Sequence, residues 1–174
     1  ESVVKIPQSI GGASVLAIKA GAIKDKAGTE NEAGCVITEI IVPFTVEMIE
    51  HGAFSGCKEL SRLTVPFAGG ALNQHTYIGY LFGSVNPAGN AKDMPESLAE
   101  LTVGGTLIHD KAFSGCENVK SIVLTEAEAV GSSAFENCTA LKTLVIPESV
   151  TSIGENAMKG CSALADLTLP FIGN

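Results

Sequence analysis

The sequence has few aromatic residues, few basic residues and no long apolar run, and each shortage argues against a class of protein. Only 5% of its 174 residues are aromatic and none is tryptophan, whereas 45% are hydrophobic, which is typical of a globular chain with an aliphatic core. Eleven lysines and arginines stand against nineteen acidic residues, and the net charge of −8 argues against a nucleic-acid partner. Every apolar run falls far short of the ~18 residues of a membrane-spanning helix, so this segment is not expected to insert into a membrane.

One short pattern recurs along the chain and sets a period. In its clearest copy, "AFENCTAL" at 134–141, an Ala–Phe pair is followed three residues later by cysteine and three residues after that by leucine. The alanine of this pattern falls at 22, 53, 112, 134 and 157, so the spacings are 31, 59, 22 and 23 residues. The basic period of 22 to 23 residues lies within the ~20–29 residues of leucine-rich repeats. The two longer spacings indicate insertions.

The residue types within one period predict three short elements. Apolar residues alternate before the proline slot, so Leu144 and Ile146 are predicted to point inward from a strand while Thr143 and Val145 point outward. The P-x-x-V-x-x-I-G segment predicts a turn and a second, shorter strand, and the A-F-x-x-C-x-x-L segment predicts a single tight helical turn. The apolar residue before the proline slot occurs seven times, as Ile6, Val42, Val65, Val103, Leu124, Ile146 and Leu169.

These units predict a solenoid, because a single repeat cannot bury its apolar face whereas a stack of repeats can. We expect one α/β-type solenoid over residues 1–174, built mainly from short parallel β-strands in about seven repeats. Two inserted loops are predicted near 24–34 and 67–97, and "IGYLF" within the second is interpreted as the Ala–Phe turn with one residue lost. The final "LPFIGN" echoes "VPFAGG" at 65–70 and neither end shows a capping repeat, so we expect a fragment of a longer protein.

The units, written I-x-x-[GKS]-A-F-x-x-C-x-x-L-x-x-L-x-I-P, resemble BspA-like leucine-rich repeats, which occur in surface and secreted proteins of anaerobic bacteria and in some parasitic protists. The resemblance covers nearly the whole chain and is most specific over 108–170, where three units run without interruption. The chain departs from the pattern at Cys35, at Met158 in the phenylalanine slot, and at Gly104 and Thr125 in the proline slot. The resemblance implies an extracellular or cell-surface protein without catalytic activity, whose role is adhesion to host or bacterial surface proteins or glycans.

The cysteines are predicted to be buried packing residues rather than chemical groups. The smallest gap between two of them is 22 residues, whereas a zinc site needs pairs at C-x₂₋₄-C spacing. Stacked Cys138 and Cys161 would lie ~5 Å apart, within disulfide range, yet an odd total of five favours a ladder of small buried side chains. No G-x-S-x-G motif accompanies the three histidines. We therefore predict no catalytic residue, no metal site and no cofactor.

Two surfaces remain as candidates for binding. The outward face of the main strands is commonly the ligand face of such a solenoid, although a solvated sheet of threonine and valine would look the same. The second insertion carries both tyrosines of the chain on a long loop. The residues predicted to bind are Arg62, Thr64, Tyr77, Tyr80, Glu100, Thr102, Thr143, Asp166 and Thr168. The alternative function is that of a passive spacer, which displays other domains at a distance from the cell.

Overall fold

The structure, a computed structural model, describes residues 2–23 and 37–170 and consists almost entirely of very short strands. The strands are β1 (Ser2–Lys5), β2 (Ser9–Ile10), β3 (Ala13–Ser14), β4 (Ala17–Ile18), β5 (Ile37–Ile41), β6 (Met48–Ile49), β7 (Arg62–Val65), β8 (Glu100–Val103), β9 (Leu107–Ile108), β10 (Ser121–Leu124), β11 (Ala129–Val130), β12 (Thr143–Val145), β13 (Ser152–Ile153) and β14 (Asp166–Thr168). The helical elements are 3₁₀ helices at Ile78–Phe82 and Pro87–Gly89 and the single turn α1 (Asn90–Asp93). The first predicted insertion, 24–34, and Cys35 lie outside the described residues.

The main sheet confirms the predicted solenoid. Its seven strands lie in the order β1-β5-β7-β8-β10-β12-β14, and every neighbouring pair is parallel. Because parallel neighbours need a crossover, each coil contributes one strand and then returns around the core. The register aligns the inward residues of successive coils, so Ile122 lies beside Leu144 and Leu144 beside Leu167. The predicted inward residues Leu144 and Ile146 are buried, and Thr143 and Val145 are only half-buried.

A second set of strands runs along the side of the solenoid, as the proline-containing segment predicts. Strands β9, β11 and β13 form one parallel three-stranded sheet, and β4 and β6 form a parallel pair. Each of these strands is two residues long and turns one side chain, such as Ile49 or Ile108, into the core. Strands β2 and β3 pair differently, as an antiparallel hairpin on the surface. In the described part of the chain, no helix is long and apolar enough to span a membrane.

The segment that carries Ala–Phe is a series of tight turns rather than the predicted helical turn. Backbone bonds from residue i to i−3 do occur, such as the one from the Cys138 N–H to the Phe135 carbonyl. However, the residue before the alanine has a positive φ in successive coils, including 58° at Lys111 and 54° at Ser133. The residue before the cysteine is also left-handed, for example Asn137 at 60°. Two left-handed residues in one short segment prevent a right-handed helix from forming.

The core repeats from coil to coil in the slots that the sequence pattern identifies. The rings of Phe113 and Phe135 stack in parallel with their centroids 5.3 Å apart, and the Phe113 N–H donates to the carbonyl of Ala134 in the next coil. The thiol of Cys138 lies 3.1 Å from the Phe113 carbonyl oxygen, and that of Cys161 lies at the same distance from the Phe135 carbonyl oxygen. Each coil thus fastens its neighbour through both backbone and side chain, in the manner of a stacked repeat.

The residues of the second predicted insertion complete a coil instead of standing apart from it. The Phe54 N–H donates to the carbonyl of Leu81, just as Phe113 does to Ala134, so Leu81 occupies the alanine slot. Phe82 then takes the phenylalanine slot, with its ring 6.2 Å from that of Phe54. "IGYLF" is therefore the Ala–Phe turn, tightened into a 3₁₀ helix.

Candidate functional site

Two rows of outward side chains cross the main-sheet face. The strand register gives one row as Val3, Glu39, Arg62, Glu100, Ser121, Thr143 and Asp166. The register gives the other row as Lys5, Ile41, Thr64, Thr102, Val123, Val145 and Thr168. Seven of the nine residues predicted to bind belong to these rows, so the face brings them together at the ~4.8 Å spacing of adjacent strands. Tyr77 and Tyr80 lie elsewhere.

Charge on this face concentrates around one arginine. Arg62 stands between Glu39 and Glu100 in the register, and its Nη2 lies 3.4 Å from Glu39 Oε2. The arginine side chain keeps 41% of its surface exposed, so the ion pair contributes at most ~1 kcal/mol to stability. Beyond Glu100 the row continues through Ser121 and Thr143, whose uncharged side chains precede the exposed Asp166. This row thus presents one cation among carboxylates, followed by two hydroxyl groups.

The two tyrosines meet two histidines in a ring cluster at the surface of the second insertion. His75 stacks on Tyr80 with centroids 4.4 Å apart and planes 9° apart, while His51 approaches Tyr80 edge-on at 4.9 Å. Tyr77 lies perpendicular to Tyr80 at 6.1 Å. These four rings border an open hollow of about 320 Å³. Sequence patterns place both tyrosines and His75 in the insertion, but only the fold brings in His51, which belongs to the preceding coil.

Tyr77 supports this cluster from below. Its side chain is buried, with 8% of its surface exposed, and its hydroxyl donates to the Ser84 carbonyl oxygen at 3.1 Å. Burial raises the pKa of the Tyr77 phenol, and the nearby Tyr80 adds to the shift. The Nε2 atom of His51 reaches the same Ser84 carbonyl at 3.1 Å. Of the two tyrosines, Tyr80 is therefore the one available to a ligand, and Tyr77 orients the loop beneath it.

A buried polar network fixes the loop that carries the ring cluster. The fully buried Asn90 side chain accepts a bond from the Gly79 N–H and donates to the carbonyls of Ala112 and Ser114 in the next coil. The hydroxyl of Ser84 donates to an Asp93 carboxylate oxygen at 2.8 Å. Because a satisfied buried network specifies one arrangement, the rings are held by the scaffold.

A family model matches the repeats of this chain. The BspA type leucine rich repeat region matches in six copies, over residues 31–79 and 97–172. The chain belongs to this family. Proteins built from BspA-type repeats are typically surface-associated and non-enzymatic, and they suit protein binding. The stretch between the two matched ranges holds Tyr80 and α1, whereas the other three rings of the cluster lie within the first matched range.

Several solved structures of leucine-rich repeat proteins are similar to the chain. A leucine-rich repeat protein of T. pallidum is 25% identical with a TM-score of 0.44, and the match covers 97% of this chain and 58% of that one. A Bacteroides ovatus protein is 22% identical (TM-score 0.40; 97% and 45% covered), and so is a leucine rich cell surface protein of Faecalibacterium prausnitzii (0.42; 96% and 47%). The chain thus spans about half the length of these proteins. Among curated proteins, no sequence matches it significantly.

The cysteines of these BspA-type repeats are placed for packing rather than for reaction. Cys57, Cys116 and Cys138 are buried, and no disulfide joins any cysteine of the described ranges. A hydrogen bond with the Cys116 thiol, together with burial, raises the pKa of Cys138 far above the usual range of a thiol, and Cys138 acts in the same way on Cys161. A protonated thiol is a poor nucleophile and a poor metal ligand. Within 2–23 and 37–170, no three histidine, cysteine or acidic side chains are grouped as a metal ion would require.

Proposed function

We propose that this chain is a binding segment of a bacterial cell-surface or secreted protein, and that it holds a protein partner through the main-sheet face without catalysing a reaction. The observation that carries the proposal is the unbroken double row of outward side chains across seven parallel strands. Family membership supports it, because BspA-type repeat proteins are typically surface-associated.

The chemistry of the face favours a polar partner surface. Arg62 between two carboxylates offers a fork of donors to an acidic side chain, and the carboxylates can accept from a basic one. The hydroxyl groups of Thr64, Thr102 and Thr143 supply donors and acceptors at strand spacing. Neither row contains an aromatic residue, the usual source of strong anchors, so affinity is expected to come from many modest contacts.

The ring cluster supports glycan binding as a second candidate function. Hydrogen bonds occupy Tyr77 and one nitrogen of His51, whereas the exposed His75 ring and Tyr80 border an open hollow beside the exposed Val85. Sugar rings combine an apolar C–H face with hydroxyl groups, and rings with polar edges suit both. The rigid loop beneath lowers the entropy lost when a ligand binds.

The test separates the two surfaces. The purified chain would be screened against immobilised bacterial and host surface proteins and against a glycan array. Binding of a protein should be saturable and weakened by Arg62→Ala, whereas Lys159→Ala, which removes the similar exposed ion pair to Glu136, should leave it unchanged. Binding of a glycan should be weakened by Tyr80→Ala. If neither screen gives a saturable partner, the chain is a spacer.

Location needs its own measurement, because binding in a purified system does not show where the protein works. Antibodies against the chain should label intact, unpermeabilised cells or detect the protein in the medium. Signal that appears only after permeabilisation would contradict a surface or secreted location, whatever the binding screens show.

A further inference from the structure

The side of the solenoid formed by the short strands is far more apolar than the main-sheet face. The outward residue of each short strand lies next to that of its neighbour, so Ala17 pairs with Met48, and Leu107, Ala129 and Ser152 form one row. Only Ser152 among these five is polar. Met48 and Leu107 are both large and substantially exposed. These apolar side chains therefore contact water at positions where the repeat pattern does not require an apolar residue.

The second insertion extends the apolar side across the gap between the two short-strand sheets. The Ile49 N–H donates to the Gly70 carbonyl at 2.8 Å, so the insertion lies against β6 where another short strand would be. Residues 71–74 then close a tight hairpin with Leu72 at its tip. On the far side, Nε2 of His109 lies 2.9 Å from the Leu72 carbonyl oxygen. Leu72 is therefore fastened between the two sheets.

Two hollows of about 290 and 520 Å³ flank Leu72 and form one surface with it. Phe44 lines the first hollow, Leu16 and Met48 line the second, and Leu72 and Glu47 line both. We define the side patch as Leu16, Phe44, Met48 and Leu72, whose exposed fractions run from 38% to 47%. Contiguous exposed apolar surface of this kind marks interaction sites.

The first hollow exists because glycine takes the proline slot in this coil. A side chain on Gly104 would place its Cβ 2.9 Å from the Pro66 carbonyl oxygen and 3.4 Å from the Phe44 ring. On the neighbouring Gly105 the added Cβ would lie 3.2 Å from Leu72 Cδ1. The departure from the repeat pattern at Gly104 is thus what lets Phe44, Pro66 and Leu72 come together.

The charged residues that line the two hollows are all acidic. Glu47 borders both hollows and Glu126 borders the first, while no lysine or arginine of the described residues lines either of them. A second copy of the chain would bring these carboxylates against carboxylates, and each copy already carries a net charge of −8. The complementary occupant has apolar side chains for the floor and basic side chains for the rim.

We propose that the side patch docks a basic amphipathic polypeptide segment of a partner protein. The apolar residues of that segment would cover Leu72 and Met48, and its lysines or arginines would approach Glu47 and Glu126. The proposal is independent of the main-sheet face and of the ring cluster, since none of their residues takes part.

Three fluorescent peptides of 14 residues test the proposal by anisotropy with the intact chain. One is an amphipathic lysine–leucine peptide, one replaces lysine by glutamate, and one replaces leucine by serine. The first should bind, the glutamate peptide should not, and the lysine–serine peptide should bind at least about tenfold more weakly. Raising the salt concentration should weaken binding of the first peptide without abolishing it, because only the charged part of the contact is screened.

Variants of the chain locate the contact. Met48→Ser and Leu72→Ser should each weaken binding of the lysine–leucine peptide by about tenfold. Val85→Ser, which changes an exposed apolar residue outside the patch, is the matched control and should have no effect. Glu47→Gln should reduce affinity and its salt dependence, whereas Glu155→Gln should change neither. Circular dichroism checks that each variant is folded.

Two results would overturn the proposal. In the first, both lysine peptides bind equally well, and neither Met48→Ser nor Leu72→Ser changes their affinity in folded protein. The interaction would then depend only on the net charge of the chain and not on the side patch. Self-association in sedimentation experiments that Leu72→Ser abolishes would assign the patch to a second copy of the chain.

Discussion

The substitution Leu144→Ala tests the stacking of coils directly, because Leu144 lies in an inward row with a coil on either side. Its side chain is fully buried, and the register places it between Ile122 and Leu167. Truncation to alanine removes three carbon atoms from this position without adding a polar group.

The expected loss of stability follows from the complete burial of the Leu144 side chain. Three methylene-sized groups account for ~2.4 kcal/mol at ~0.8 kcal/mol each, and the cavity left between two coils adds to this. We expect Leu144→Ala to lower the free energy of unfolding by about 3–4 kcal/mol. Leu167→Ala changes the same slot of another coil, but Leu167 is 41% exposed. Its cost should be about 1–1.5 kcal/mol, because part of the side chain already contacts water and no closed cavity forms.

Urea unfolding followed by circular dichroism measures both costs. Because each coil contacts chiefly its two neighbours, hydrogen exchange should also show weaker amide protection in β10 and β14 of the Leu144→Ala protein. Similar costs for the two variants, or a cost below ~1 kcal/mol for Leu144→Ala, would refute the register on which the whole main sheet depends.

Three other predictions concern single groups. Cys138 should resist iodoacetamide at pH 8 while the protein is folded, because its pKa is raised and it is buried; site-resolved mass spectrometry would contradict this if Cys138 reacted as fast as in urea. Asn90→Ala should lower the free energy of unfolding in urea by about 1–3 kcal/mol, because the buried Gly79 N–H loses its hydrogen-bond acceptor. An unchanged unfolding midpoint would mean that the network does not stabilise the loop. The pKa of Tyr77 is raised, so its contribution to stability is present below the ordinary tyrosine pKa of ~10 and is lost as pH rises above it. Tyr77→Phe should therefore flatten the fall in unfolding free energy between pH 9 and 11 relative to the unsubstituted protein, and an equally steep fall would contradict the shift.

The solenoid could be predicted from the sequence because its core slots are strictly periodic. Leucine, isoleucine or valine returns to the inward positions of the main strands, and the outward partners of Arg62 and Thr143 follow directly from the same count. Even the irregular "IGYLF" could be placed as the turn with one residue lost, since its isoleucine, glycine and phenylalanine keep their order. Periodicity fixes which residues share a row, and here it did so correctly.

The local conformation of the Ala–Phe segment could not be predicted from spacing alone. Apolar residues three apart suit a helical turn, but lysine and serine adopt left-handed backbone at 111 and 133, which their residue types do not favour. Coil-to-coil hydrogen bonds, such as the one from the Lys111 N–H to the Ser132 carbonyl, compensate for this cost. Such a contact joins residues one period apart, so no local pattern reveals it.

The surfaces were the least predictable part, because the repeat constrains only what it buries. The repeat pattern of the main strands predicts a polar face, whereas five of the nine large exposed apolar side chains of the described residues lie on the short-strand side, namely Leu16, Phe44, Met48, Leu72 and Leu107. There the residue before each buried isoleucine, such as Met48 before Ile49 and Leu107 before Ile108, is free to vary without harm to the core. An apolar residue in such a slot leaves a large part of its side chain exposed to water. A partner protein that covers Met48 and Leu72 would explain why these two exposed positions are apolar, and the peptide experiments test whether such a partner segment binds there.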